Sequence, residues 1–138
     1  MLISSKGRYA LRVMLELAEH SREKFIPLKE ITERQNISQK YLEGIMVMLS
    51  KSGFVVAMHG KGGGYKLSKE PKEYKIGDIL RLTEGTLAPV MCLEENASRC
   101  ERANQCKTLP LWTGLNNAIT GYLDGVTLED VLRGSDKL

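Results

Sequence analysis

No stretch of this 138-residue chain is long and apolar enough to cross a bilayer, a task that takes about 20 consecutive apolar residues. The opening residues, MLISSKGRYALRVM, set Lys6, Arg8 and Arg12 inside an apolar pattern. A secretory signal has an unbroken apolar core instead, so a cytoplasmic protein is expected. Cysteine is scarce: three residues, an odd number, with no Cys-x-x-Cys pair. A cytoplasmic chain does not rely on disulfides, and the missing close pair disfavours a closed zinc site. Histidine is scarcer, with only His20 and His59, and no cysteine–histidine pairing stands in the sequence. A small thiol enzyme therefore has nothing to support it, and no enzymatic activity is expected. Internal repeats, low-complexity segments and linkers are also missing. The length suffices for one core, or one core with an attached helix.

The net charge is small, +3, but unevenly placed. Residues 1–85 hold 15 of the 20 Lys and Arg against 10 of the 17 Asp and Glu, which leaves them at +5 and residues 86–138 at −2. A polyanionic partner for the first part fits this asymmetry, although many solvated surfaces carry as much charge.

That part is organised around IPLKEITERQNISQKYLEGIMVMLSKSGFVVAMHGKGGGYKLS, residues 26–68. Pro27 suits a helix start, where its missing N–H costs nothing. Leu28 and Ile31 give a short helix its inward face. Asn36 is a turn residue, Ile37 can plug the gap, and Ser38 can cap a second helix. Leu42, Ile45, Met46 and Leu49 recur at helical spacing. Gln39, Lys40, Glu43 and Ser50 are left facing out, and Gly53 stops the helix. Phe54 to Met58 and Tyr65 to Leu67 read as a hairpin whose tip is His59-Gly60-Lys61-Gly62-Gly63-Gly64. A helix-turn-helix with a β-wing lays its second helix in the major groove. A plain helical domain with a hairpin explains the apolar positions equally well. It explains less well four glycines between basic residues, whose ordering is entropically costly and whose benefit is close approach to a phosphate chain or minor groove.

Upstream, Ser4 or Ser5 can cap a helix running to about His20. Ala10, Val13, Met14, Leu17 and Ala18 form its main stripe, and Leu11 and Leu15 a second. So wide a stripe implies contacts on two sides: the helix-turn-helix core, and a partner subunit as a candidate for the other. Arg8, Arg12, Glu16 and Glu19 make a narrow polar strip. Arg8 and Arg12 lie where phosphate contact is possible, though each alone reads better as solvated charge. Ser21 to Phe25 is a polar connection. Downstream, Pro71 marks a turn. Ile76 to Glu84 reads as a helix with Ile76, Ile79 and Leu80 inward, Asp78 and Arg81 outward, and Gly85 as its end. Thr86 to Cys106 shows no period, and a loop of that length in a small chain is functional or disordered. Thr108 to Asp124 is helical again, with Trp112, Leu115, Ile119 and Tyr122 as a seam and Thr113, Asn116, Asn117 and Thr120 as the polar side. Little chain remains for this seam to fold against, so a paired helix from a second subunit is expected. Thr127 caps a last helix ended by Gly134. The division is a winged helix-turn-helix over 1–85, a cysteine loop over 86–107, and a dimerisation helix with a short final helix over 108–138. The fold class is mainly α with a small β-wing.

All three cysteines, Cys92, Cys100 and Cys106, stand in that loop as C-x7-C-x5-C. Thiolates are the usual ligands of iron–sulfur clusters and of zinc. Three of them can hold a cluster with a fourth, weaker ligand. The bland alternative is three reduced, unliganded thiols.

SSKGRYALRVMLELA, LKEITERQNISQKYLE, GKGGGYKLSKEP and IGDILRLTEG, at their spacing in this chain, resemble the IscR-type family of winged-helix regulators, which includes CymR-type and NsrR-type relatives. The resemblance covers nearly the whole chain, and the GGGY run makes it specific. It implies a homodimeric transcription factor that binds two-fold double-stranded DNA, with an iron–sulfur cluster on Cys92, Cys100 and Cys106. By resemblance alone the two-iron form is favoured over the four-iron form. IscR carries a histidine ligand three residues after its last cysteine, where this chain has Leu109. The fourth ligand is thus open, with Glu94, Glu95, Glu101, Asn104, Gln105 or a residue of the other subunit as candidates. NsrR-type relatives use an N-terminal aspartate, and Arg8 stands there instead. Relatives place serine, tyrosine and glutamate on the recognition helix, matched by Ser38, Tyr41 and Glu43; Glu43 could accept from a cytosine N4 amino group. Where relatives often carry arginine, the wing has His59, for which Lys61 can compensate. The candidate DNA-binding set is Ser38, Gln39, Lys40, Tyr41, Glu43, His59, Gly60 and Lys61. The competing reading is a CymR-like repressor under control of a protein partner or thiol redox state, without a cluster.

Overall fold

A computed structural model describes residues 3–20 and 22–138; Ser21, in the polar connection, lies outside the described residues, as do Met1 and Leu2. Among the described residues there are six α-helices and one two-stranded antiparallel sheet. The sequence-level expectation of a mainly helical winged fold holds. No helix among them is long and apolar enough to cross a membrane.

Helix α1, Ser5–Ala18, starts under the Ser4 cap, whose Oγ accepts from the Gly7 N–H. Its Ala10, Val13, Met14 and Leu17 are buried. Within the chain α1 packs against α4, α6, α2 and the wing, while Leu11 and Leu15 of the second stripe stay half-buried. Helix α2, Leu28–Gln35, follows Pro27, which takes the cap position. Asn36 makes the turn in the left-handed region, at φ 53°, which asparagine tolerates well. Ile37 fills the angle, and Ser38 caps α3, Gln39–Lys51, accepting from the Tyr41 N–H. Leu42, Ile45, Met46 and Leu49 of α3 are buried. Ser50, expected to face out, is half-buried, with its Oγ covered.

Strands β1, Val55–Met58, and β2, Gly64–Leu67, pair with Val55 opposite Leu67 and Met58 opposite Gly64. Ile26 adds a bridge to Tyr65 on the far edge, with both backbone bonds made. A Cβ on Gly64 would lie 2.2 Å from the Ile26 carbonyl oxygen, so only glycine lets the two chains meet there. The Tyr74 hydroxyl closes the wing base, donating to the Phe54 carbonyl and accepting from the Ser68 and Lys69 N–H groups.

Helix α4, Ile76–Glu84, packs on α1, and Gly85 ends it at φ 81°. A long irregular segment with one 3-10 turn, Met91–Leu93, leads to α5, Leu109–Gly125. Helix α6, Leu128–Arg133, begins with a capping box between Thr127 and Asp130 and ends at Gly134. Val126 and Leu128 bond to Ile76 and Tyr74 and enter the core shared with α1 and α4.

Candidate nucleic-acid interface and cysteine loop

The exposed surface of α3 carries Gln39, Lys40, Tyr41, Glu43, Gly44 and Val47. Burial of the opposite face fixes which side points out. The Gln39 amide donates to Glu43 Oε1 at 3.1 Å, one turn along, so the carboxylate is oriented before any ligand arrives. Tyr41 meets Tyr9 of α1 edge to face, with centroids 5.7 Å apart. Lys6 of α1 and Lys40 flank a shallow groove of about 480 Å³ floored by Ser38, Tyr41, Gly44 and Ile45. Lys6 was not among the expected contacts; it is near α3 only because α1 crosses it.

Two other arginines have local work. Arg12 lies 5.2 Å from the Tyr9 ring centroid and donates to Gln35 through both its side-chain oxygen and its carbonyl, closing the end of α2. Arg8 bonds to Ser5 at the helix surface. Glu16 corrects the expected polar strip: it is 5% exposed, and its Oε2 stands 3.7 Å from both Arg34 and His20. Arg34, which reaches from α2 to Glu16 of α1, is also held within its own helix by Glu30 at 2.6 Å.

The wing tip exposes His59, Gly60, Lys61 and Gly62. Its glycines have local causes. Gly60 and Gly62 take φ of 92° and 78°, and a Cβ on Gly63 would fall 2.1 Å from the Met58 carbonyl oxygen. The tip is therefore a defined turn, closed by Gly63 N–H to the Gly60 carbonyl at 3.1 Å. The expectation that these glycines served close approach to DNA is not needed to explain them.

The cysteine loop connects two helices that are themselves clamped together. Arg81 of α4, expected to point outward, donates to both carboxylate oxygens of Asp124 on α5 at 2.9 and 2.8 Å. That pairing holds the Asp124 carboxyl below the usual carboxylate range. Asn116 and Thr120, expected on the polar outer side, line with Arg81, Glu94 and Glu95 a cavity of about 720 Å³ between α4, α5 and the loop. In the same last turn of α4, Glu84 accepts from the Ser4 N–H at 2.9 Å and from its hydroxyl at 2.7 Å. Neither contact is visible in sequence, because the partners stand 43 and 80 residues apart.

All three cysteines are free thiols; Cys92 and Cys100 are exposed and Cys106 is half-exposed. The Cys106 sulfur lies 3.3 Å from the Thr108 hydroxyl, and hydrogen bonding from Thr108 lowers its thiol below the ordinary value. The donor type suits a cluster. Among the described residues, however, no three His, Cys, Asp or Glu side chains are gathered as a metal shell. Asn104, one of the fourth-ligand candidates, is bonded to Arg99. Leu109, at the position where the resemblance to IscR implies a histidine, is half-buried as the first residue of α5.

Beyond the loop, α5 has no fully buried residue. Leu111, Leu115 and Tyr122 are 62%, 42% and 50% exposed. Ile119 and Leu123 sit between this face and Ile3 and Leu80, in an apolar groove.

A helix-turn-helix with its second helix bare on one side, backed by a short wing with an exposed lysine, defines a winged-helix regulator of transcription. The model for Rrf2, an iron-dependent transcriptional regulator, matches residues 3–134, and the chain belongs to that family, whose members are regulators and not enzymes. It is 37% identical over 138 residues to the HTH-type transcriptional regulator IscR of Serratia proteamaculans, covering 100% of this chain and 83% of that one. Among solved structures, CymR, the global cysteine regulator of B. subtilis, superposes with a TM-score of 0.78 at 37% identity, covering 99% of both chains. T. potens IscR does so at 0.75 and 34%, covering 97% of this chain and 88% of that one.

Proposed function

We propose that this regulator works in the cytoplasm as a homodimer on a two-fold DNA operator, and that an iron–sulfur cluster held by Cys92, Cys100 and Cys106 sets its operator affinity. The observation that carries this reading is the place of the thiols: all three lie on the one irregular segment that joins α4, seated on the winged unit, to α5, whose apolar face is open. The exposed thiols fit a cluster by donor chemistry, and closing the loop would have to gather them. When bound, a cluster supplies a labile link whose presence reports iron–sulfur supply. The family likeness favours the two-iron form over the four-iron form. The fourth ligand comes from Glu94, Glu95, Glu101, Asn104 or Gln105, or from the other subunit.

The division into a DNA-binding unit over 1–85, a cluster loop over 86–107 and a dimerisation segment over 108–138 belongs to this reading. On the DNA side, Ser38, Gln39, Lys40, Tyr41 and Glu43 would enter the major groove, and His59, Gly60 and Lys61 would meet the flanking backbone or minor groove. Two such helices must stand about 34 Å apart, or a multiple of that, to read two half-sites.

One observation favours a second reading. The Cys106 thiol is lowered and half-exposed, which suits thiol redox control of a CymR-like repressor without a cluster, or control by a protein partner. The visible spectrum of protein purified without oxygen separates the two. Cluster absorption that disappears in each of Cys92→Ala, Cys100→Ala and Cys106→Ala is expected. Specific-operator affinity should change by a similar factor in all three, with the dimer and non-specific DNA binding kept. Colourless, iron-free protein that still binds its operator specifically leaves the second reading standing. Equal binding of every duplex by loaded and cluster-free protein defeats the sensing proposal.

A further inference from the structure

Val47 is 51% exposed in the middle of the bare face of α3, where every other outward residue is polar, charged, glycine or Tyr41. Its setting is unusual in a second way. Side chains on a helix lean toward its N-terminus, over the residues three and four positions back. Three positions back from Val47 is Gly44, and a Cβ built there would meet nothing within 4 Å. Four back is Glu43, whose carboxylate is already drawn toward Gln39. Val47 therefore stands beside an open stretch of the helix surface at Gly44. About half of the residue is open to solvent. Lys6 and Lys40 stand along the groove that runs past Gly44, and neither has a hydrogen bond or ion pair among the described residues, so both are available for flanking phosphates.

A valine is a poor choice for an exposed helix position on propensity alone, and a scattered exposed apolar residue is ordinary on most surfaces. On the face that enters a major groove it has a specific counterpart. The 5-methyl group of thymine is the one apolar feature that base edges present there, and small apolar side chains recognise it. Resting on the DNA-binding reading above, we infer that Val47 reads a thymine methyl group in each operator half-site and that Gly44 keeps the adjoining turn bare, so that the helix can approach closely enough to make that contact. The carbonyl and amino groups of the same base pair remain for Glu43 and its neighbours; Val47 adds discrimination of thymine from cytosine and from deoxyuridine.

The test deletes the methyl group from the DNA. A duplex enriched from a random pool by the full-length wild-type protein is resynthesised with each thymine changed singly to deoxyuridine, which removes one methyl and no hydrogen-bonding group. At one thymine per half-site the wild type should lose affinity by about fourfold, the value of burying one methyl-sized group. Val47→Ala should bind the unmodified duplex more weakly by a similar factor and lose nothing further at that thymine. Val47→Thr keeps the shape and one methyl and should fall between them. Gly44→Leu, whose Cβ meets nothing within 4 Å, should fill that open stretch and abolish the methyl dependence. An enriched duplex at which no thymine exchange costs affinity overturns the inference while the DNA-binding reading stands. So does a methyl effect that persists undiminished in Val47→Ala. A pool from which nothing is enriched defeats both.

Discussion

Replacing Asp124 with Asn removes the charge that ties the long helix α5 to α4. The carboxylate receives two near-parallel bonds from Arg81, at 2.9 and 2.8 Å, the geometry in which guanidinium–carboxylate pairs are strongest. Both side chains are about one-third exposed, at 30% and 33%, so the penalty of several kcal/mol for breaking a fully buried pair does not apply. Exposed pairs contribute 0.2–1 kcal/mol, roughly. Arg81 also keeps Asp78, whose Oδ1 is 3.2 Å away, as a second partner in the variant. A coupling of about 1 kcal/mol follows, at the upper end of the exposed range because the pair is bidentate. With a urea slope of about 2 kcal/mol/M, the midpoint should fall by about 0.5 M at fixed protein concentration.

A cycle of Asp124→Asn, Arg81→Met and the double variant isolates the pair. Additivity within about 0.3 kcal/mol would refute the reasoning. The pH dependence gives an independent check. Asp124 binds its proton less readily in the folded chain than in the unfolded one. Its contribution is therefore complete above the ordinary carboxylate value, about 3.9, and is lost as the pH falls through the lower native value. The stability gap between wild type and Asp124→Asn should close on acidification and stay constant above pH 5 or so. Gly77 reports the same contact sterically, since a Cβ there would lie 2.0 Å from Asp124 Oδ1.

Lys61→Ala should weaken binding to all duplexes alike and lower the salt slope by about one unit; an unchanged slope in affinity titrations removes Lys61 from the phosphate contacts. Ile119→Glu should give a monomer or an insoluble chain, because it sets an unpaired charge in the apolar groove and seam of α5; an intact dimer in sedimentation would place the interface elsewhere. Gly64→Ala should cost about 2 kcal/mol, since the new methyl meets the Ile26 carbonyl at a φ of 150°; an unchanged urea midpoint would contradict the register of Ile26 against Tyr65.

The elements were legible where one local rule decided them. Ile76, Ile79 and Leu80 mark α4, and Gly85 stops it where expected, because a left-handed φ leaves glycine as the natural end. Asn36 and Ser38 mark the turn for similar reasons. What escaped reading depends on partners far away in the chain. Glu16 looks like surface charge until Arg34 and His20 close over it. Asn116 and Thr120 look like an outer polar face until Arg81 draws α5 onto α4. The wing glycines were legible as a feature, and the turn sterics at Gly60, Gly62 and Gly63 add a local requirement that the sequence does not display. The cysteines were legible as residues and as one loop. Among the described residues they are not gathered as a metal shell, and spacing alone does not say whether they can be.

The contacts around that loop are unequal, and the inequality says where a signal must act. Toward the winged unit, α4 presents Ile79, 0% exposed, and Glu84 caps α1 through Ser4. Gly7 lies so close beneath Glu84 that a Cβ would be 2.4 Å from its carboxylate. From there α1 reaches the recognition helix through Tyr9 and Tyr41. This part is a packed core, which does not deform in small steps. Toward α5, α4 has the half-exposed Arg81–Asp124 pair and a shallow apolar groove, and α5 buries no residue fully. The loop begins just past Glu84 and ends at Thr108, so it spans the weaker joint and leaves the stronger one behind. A ligand shifts a conformational equilibrium only through a difference in its interaction with the two states. On the proposed reading, a cluster that ordered the loop would act at the joint between α4 and α5.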